Sequence, residues 1–209
     1  MENNHMTPHQ APQQERRQAG KAADMRMELY DWLHCILTAL LVAVLLFMFV
    51  GRNINVDGQS MEGTLIHGDR LIVSNLFYTP NNGDIIVFHS PSLRFAGIPL
   101  VKRVIAIPGQ EIDFDFTQGH VIVDGVILDE NYLSPGILTT TSGNFDGPRV
   151  IPEGYVFVLG DNRNLTLDSR HDDIGLVDTR YILGRVLMVM IPGVDNNGIR
   201  EWHRIGIPS

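Results

Sequence analysis

Leu100-Val101-Lys102-Arg103-Val104-Ile105-Ala106-Ile107 is the stretch on which the fold turns. It is apolar, rich in β-branched residues and closed by Pro108-Gly109, so it reads as a strand. Its adjacent cations, Lys102 and Arg103, cannot both point outward, because successive side chains on a strand alternate faces. One of them is expected to point toward the core. Runs of the same kind lie on either side: Arg70–Tyr78, Asp84–His89, Tyr155–Leu159 and Tyr181–Met190. His120–Leu128 carries a hairpin signal, since Asp124-Gly125 supplies the positive-φ positions of a tight turn. Pro80, Gly83, Pro135-Gly136, Pro152 and Pro192-Gly193 punctuate the runs, and no amphipathic helix is evident past residue 53. The pattern predicts an all-β domain, a curled antiparallel sheet or barrel-like arrangement.

Ahead of this domain lies a different composition. The first residues are polar, with Gln, Asn, Pro and Ala dominant, and read as a flexible tail over 1–31. Residues 32–50, Trp32 to Val50, contain no acid, Lys or Arg and are apolar on every face. A bilayer core needs about 20 mostly apolar helical residues, so this run predicts a single transmembrane helix rather than a core helix. No small-x-small site follows it, which favours a retained anchor over a removable signal sequence. Arg16, Arg17, Lys21 and Arg26 precede the run, against Arg52 and Arg70 after it, so the N-terminus is expected in the cytoplasm. Residues 51–209 would then form an extracytoplasmic domain. The formal net charge of -8 over 209 residues argues against a nucleic-acid partner. Cys35 is the sole cysteine, so no internal disulfide forms.

Three segments could carry chemistry. Val56-Asp57-Gly58-Gln59-Ser60-Met61-Glu62-Gly63-Thr64 places a serine between glycines, where the backbone can approach a carbonyl and amide N–H groups can face an oxyanion. By itself it reads equally as a turn, and it is not a G-x-S-x-G elbow. A serine nucleophile needs a base. None of the eight histidines has a context that singles it out. Lys102, if it is the inward cation of its strand, would have its pKa lowered by burial and could serve as that base. The bland alternative is a lysine paired with a carboxylate. Gly160-Asp161-Asn162-Arg163-Asn164-Leu165-Thr166-Leu167-Asp168-Ser169-Arg170 is dense in hydrogen-bonding groups and could brace a site. It lacks the ligand spacing of a calcium loop, and no metal cluster or phosphate-binding loop is evident, so neither cofactor nor metal is expected.

These blocks, in this order behind an apolar run, resemble the bacterial type I signal peptidases over about residues 30–192. Gly58-Gln59-Ser60-Met61 with Thr64-Leu65 is similar to the family's nucleophile block. Gly68–Val73, Lys102-Arg103 with Pro108-Gly109, and Gly160–Arg163 with Asp168–Arg170 are similar to the blocks that follow. The resemblance implies Ser60 as nucleophile and Lys102 as general base. It implies Thr166 where a serine hydroxyl usually steadies the lysine, with Asp168 and Arg170 as the structural acid and arginine. Met61, beside the nucleophile, is assigned to substrate binding. Gly58 stands where some members place a serine that assists the oxyanion, so the hole would rest on the Ser60 N–H. Gly63 replaces a usual proline, and Asn75 a common lysine. The implied substrates are exported preproteins with signal peptides, cut beside membrane lipid. A self-cleaving Ser-Lys protease and a catalytically impaired tethered binding domain are the alternatives.

Overall fold

The computed structural model describes residues 27–44, 52–95, 97–195 and 197–208. It divides into two compact units, Met1–Met48 and Phe49–Ser209. The first contains helix α1, Met27–Val44, which is long and apolar enough to cross a membrane and is nowhere buried. It begins before the predicted run, with Glu28 and Asp31 in its opening turns, where acids suit the helix dipole. Residues 45–50 of the predicted anchor and 1–26 of the predicted tail lie outside the described residues.

The second unit contains β1 (Arg52–Asn55), β2 (Arg70–Ser74), β3 (Ile85–His89), β4 (Pro99–Ala106), β5 (Glu111–Asp115), β6 (His120–Val123), β7 (Val126–Ile127), β8 (Arg149–Val150), β9 (Tyr155–Leu159), β10 (Val177–Asp178) and β11 (Ile182–Ile191). A seven-stranded sheet runs β1-β2-β11-β3-β4-β9-β10, and a four-stranded sheet runs β7-β6-β5-β8. All pairings are antiparallel. The larger sheet is open, with β1 and β10 at its edges, so the all-β expectation holds without closure into a barrel. The Asp124-Gly125 turn has φ of 52° and 75°, the positive values a two-residue hairpin needs.

Two local expectations are corrected. The strand predicted to reach Tyr78 stops at Ser74, because Phe77 takes a φ of 50° and leaves the ladder. On β4, Lys102 and Arg103 are both buried, at 3% and 4% exposure. The prediction of one inward cation assumed a single covered face. In fact Val101 packs with Val56, Met61, Leu65 and Val87 on one side, while Val104 packs with Ile86, Phe88 and Val158 on the other. Alternation therefore sends one cation into each covered face.

Residues 56–69 form a loop closed at its base by Val56 N–H to Asp69 O, 2.8 Å, and Gly68 N–H to Val56 O, 2.9 Å. Asp69 is fully buried there. Its carboxylate accepts from the N–H of Ile66 at 2.9 Å and of Gly193 at 2.6 Å. Arg204 donates to the same carboxylate at 2.9 Å and to Thr64 O at 3.1 Å. The last segment of the chain thus pins the loop that carries Ser60. Asp69→Ala removes one partner of a largely buried ion pair and should cost roughly 3 kcal/mol, read as a lower urea midpoint with an unchanged slope.

Candidate active site

The Ser60 loop is held from below. Met61 and Leu65 are buried in the core that includes Val101, and a single helical turn follows, with Leu65 N–H donating to Met61 O at 2.8 Å. Thr64 Oγ1 donates to Asp161 Oδ2 at 2.5 Å. Asp161 in turn accepts from Arg103 Nη2 at 2.7 Å and Nε at 3.0 Å. Asn162 N–H donates to Ser60 O at 3.2 Å, and Asn162 Nδ2 to Gln59 O at 3.1 Å. The loop of Ser60, the strand of Lys102 and the loop after β9 are therefore one hydrogen-bonded body.

Gly160 is the point of closest approach within it. Arg103 pairs with Leu159 across β4 and β9, so Lys102, one residue further, comes across from Gly160. A Cβ on Gly160 would lie 2.5 Å from Ser60 O, 2.5 Å from Thr166 Cγ2 and 2.7 Å from Thr166 Oγ1. Its φ lies outside the left-handed region, so glycine is required here by space and not by backbone angle. The bare Cα lets the Ser60 carbonyl and the Thr166 side chain approach the same point of the backbone. The sequence places Gly160 at the head of its loop block but gives it no role of its own, because no local signal marks a glycine of ordinary φ.

Burial pushes the Lys102 ammonium down to about 8 from the ordinary lysine value of 10.5, with Asp168 and Asp161 acting in the opposite direction. Thr166 is buried, and its Oγ1 donates to Leu167 O at 3.2 Å. Asp168 accepts from Gly160 N–H at 3.3 Å and from Arg170 Nε and Nη2 at 2.9 and 2.8 Å. Arg170 reaches Arg163 O at 2.5 Å and Thr141 O at 2.6 Å. Gly58 has a φ of 100°, and its N–H faces His67 Nδ1 at 3.3 Å, so it is already engaged. Gly63 has a φ of 103°, a value closed to proline, so this turn follows a path of its own.

Residues 130–141, silent in the sequence, complete the frame. Glu130 pairs with Arg163 at 2.5 Å, and Arg163 donates to Thr139 Oγ1 and to the Tyr132 hydroxyl, each at 3.0 Å. The Tyr132 ring covers the Arg103 guanidinium at 4.0 Å. Asn164 Oδ1 accepts from Thr140 N–H at 3.1 Å.

A serine on a braced loop, a buried lysine and an all-β frame behind an apolar helix define the class of a membrane-anchored serine peptidase. The family model described as "Signal peptidase, peptidase S26" matches residues 29–191, and the chain belongs to that family. It is 39% identical over 179 residues to a probable signal peptidase I-1 of Synechocystis sp., covering 82% of this chain and 84% of that one. It is 30% identical over 181 residues to a signal peptidase I of Bacillus licheniformis, covering 82% and 94%. A crystal structure of a signal peptidase I from Enterococcus faecalis V583 aligns at 30% identity over 52% of this chain and 97% of that one, with a TM-score of 0.41.

Gly160→Ala should leave a folded domain by circular dichroism but displace Ser60 and Thr166, lowering peptidase kcat by about a hundredfold, as misplacement on the order of 1 Å does.

Proposed function

We propose that this chain removes signal peptides from exported preproteins, with Ser60 as nucleophile and Lys102 as general base. The observation that carries the assignment is Lys102 itself, buried at the centre of the sheet, pushed down to about 8, and set across from the one glycine that touches both Ser60 and Thr166.

The chemistry follows from that placement. Neutral Lys102 takes the Ser60 hydroxyl proton as Ser60 Oγ attacks the scissile carbonyl. The Ser60 N–H faces the oxyanion, since Gly58 N–H is committed to His67. Collapse breaks the peptide C–N bond, and the Lys102 ammonium returns its proton to the leaving amine. Water then attacks the ester, again with Lys102 as base. Thr166 Oγ1, donating to Leu167 O, keeps lone pairs with which to orient the lysine. Asp168 and Arg170 fix the loop that bears it. Met61, expected from the sequence to bind substrate, is instead buried in the core beneath the loop and serves to hold that loop in place.

The layout of an N-terminal tail, an apolar anchor whose helix already includes Met27, and a peptidase domain over 51–209 suits this role. The positive charges ahead of the apolar run favour a cytoplasmic N-terminus and an extracytoplasmic domain. Only Gly51 to Gln59 separate the run from Ser60, at no more than about 3.6 Å each. The covalent chain thus limits how far Ser60 can lie from the apolar run, which suits cleavage of a membrane-delivered substrate.

Ser60→Ala and Lys102→Ala should each abolish preprotein cleavage in a detergent assay while the domain stays folded; near-normal activity of Lys102→Ala would sink the mechanism. The base works only when neutral, so kcat/KM should fall as pH drops through about 8, and a rate flat into acid contradicts a lysine base. Thr166→Val should lose more activity than Thr166→Ser, and a fully active Thr166→Val removes the orienting role.

A further inference from the structure

We propose that His67 is a positioning residue for the nucleophile, holding the Asp57-Gly58 stretch of the Ser60 loop only while its imidazole is neutral. The inference rests on the assignment of Ser60 above. The loop is fixed at its base, where Val56 N–H donates to Asp69 O at 2.8 Å and Gly68 N–H to Val56 O at 2.9 Å. It is fixed again at its tip, where Gln59 O accepts from Glu62 N–H and from Asn162 Nδ2, each at 3.1 Å. Between those points, Asp57 and Gly58 carry a single hydrogen bond among the described residues, from Gly58 N–H to His67 Nδ1 at 3.3 Å. Packing does not hold the stretch either. Gly58 sits at a φ of 100°, and a Cβ there would meet nothing within 4 Å. A glycine two residues ahead of the nucleophile has wide conformational freedom, and the imidazole removes it.

The bond works in one protonation state. To accept from Gly58, Nδ1 must carry no proton, so the neutral ring keeps its hydrogen on Nε2. The same Nδ1 lies 3.4 Å from Asp57 Oδ1. A protonated ring has N–H at both nitrogens and no acceptor. Its Nδ1–H then turns to the Asp57 carboxylate, and Gly58 N–H loses its partner. The other charged groups facing the ring are Glu62, on the turn after Ser60, and Asp195, on the C-terminal segment. With Gln59, Ile66 and Val194 they line one hollow beside His67, and no Lys or Arg is among them. The Asp69–Arg204 pair lies at the base of the loop. The His67 side chain is 70% exposed, so solvent protons reach it freely. One imidazole thus chooses between the backbone of the nucleophile loop and the carboxylate next to it.

The test uses the full chain in detergent, labelled with 15N-histidine and 15N-glycine. The ring shifts of His67 should report hydrogen on Nε2, and the Gly58 amide should move with the same midpoint as the ring. Hydrogen on Nδ1, or a Gly58 amide indifferent to the ring's titration, overturns the proposal. Preprotein cleavage reads the consequence. His67→Ala should lower kcat by roughly three- to tenfold, the range one neutral hydrogen bond carries, and leave KM unchanged. His67→Asn, whose Oδ1 reaches the place of Nδ1, should restore kcat, and His67→Gln, whose oxygen lies further out, should not. The ratio of wild-type rate to His67→Asn rate should be level at neutral and alkaline pH and fall in acid, where only the imidazole stops accepting. Lys102 titrates in both proteins and cancels from the ratio. A flat ratio, or equal losses in His67→Ala and His67→Asn, contradicts the proposal. A wild-type chain that cuts no preprotein refutes the assignment of Ser60 instead, while the NMR titration still decides the His67 contact.

Discussion

An ammonium group enclosed in a sheet that is covered on both faces is the constraint on which this protein turns. Arg103, Arg163 and Arg170 are buried nearby, and each has a carboxylate in contact: Asp161, Glu130 and Asp168. Among the described residues Lys102 has no such partner, only the more distant pull of Asp168 and Asp161. Keeping an unpaired ion buried costs several kcal/mol. Releasing the proton of an ordinary lysine at pH 8 costs about 3 kcal/mol. The two are of similar size, so the balance tips toward the neutral amine near pH 8. That neutral amine is the form a serine hydroxyl requires of its base.

The charged pairs around it act as a scaffold. Arg103–Asp161 ties the strand of Lys102 to the loop of Ser60 through Thr64, and Asp168–Arg170 ties Thr166 to the backbone after β9. Tyr132 and Glu130 close the cluster from the segment that precedes β8. Gly160 provides the space in which these arms converge. Membership of the signal peptidase family is consistent with such a frame, since a serine peptidase gains from a rigidly held nucleophile loop.

Much of this was legible in the sequence because its signals are local. Alternation and β-branching marked β3, β4, β9 and β11, and Asp124-Gly125 marked the hairpin. β1 and β10 escaped because short edge strands carry little apolar pattern, and β5 because acids alternate with its buried Ile112 and Phe114. Within the site, Ser60 and Lys102 stood out by their neighbours. The burial of Arg103 did not, since period-two alternation says nothing of how many faces are covered. Gly160, Tyr132 and the Asp69–Arg204 pair act through space, across separations that no local pattern encodes.

The central claim concerns the protonation of one side chain, and NMR reads it directly. In the full-length chain carrying 15N-labelled lysine, with the Lys102 signal assigned by its loss in Lys102→Arg, the amine should titrate with a midpoint near 8. A midpoint at the ordinary lysine value of 10.5 would contradict the account, because the buried amine would then be charged when the reaction needs it neutral.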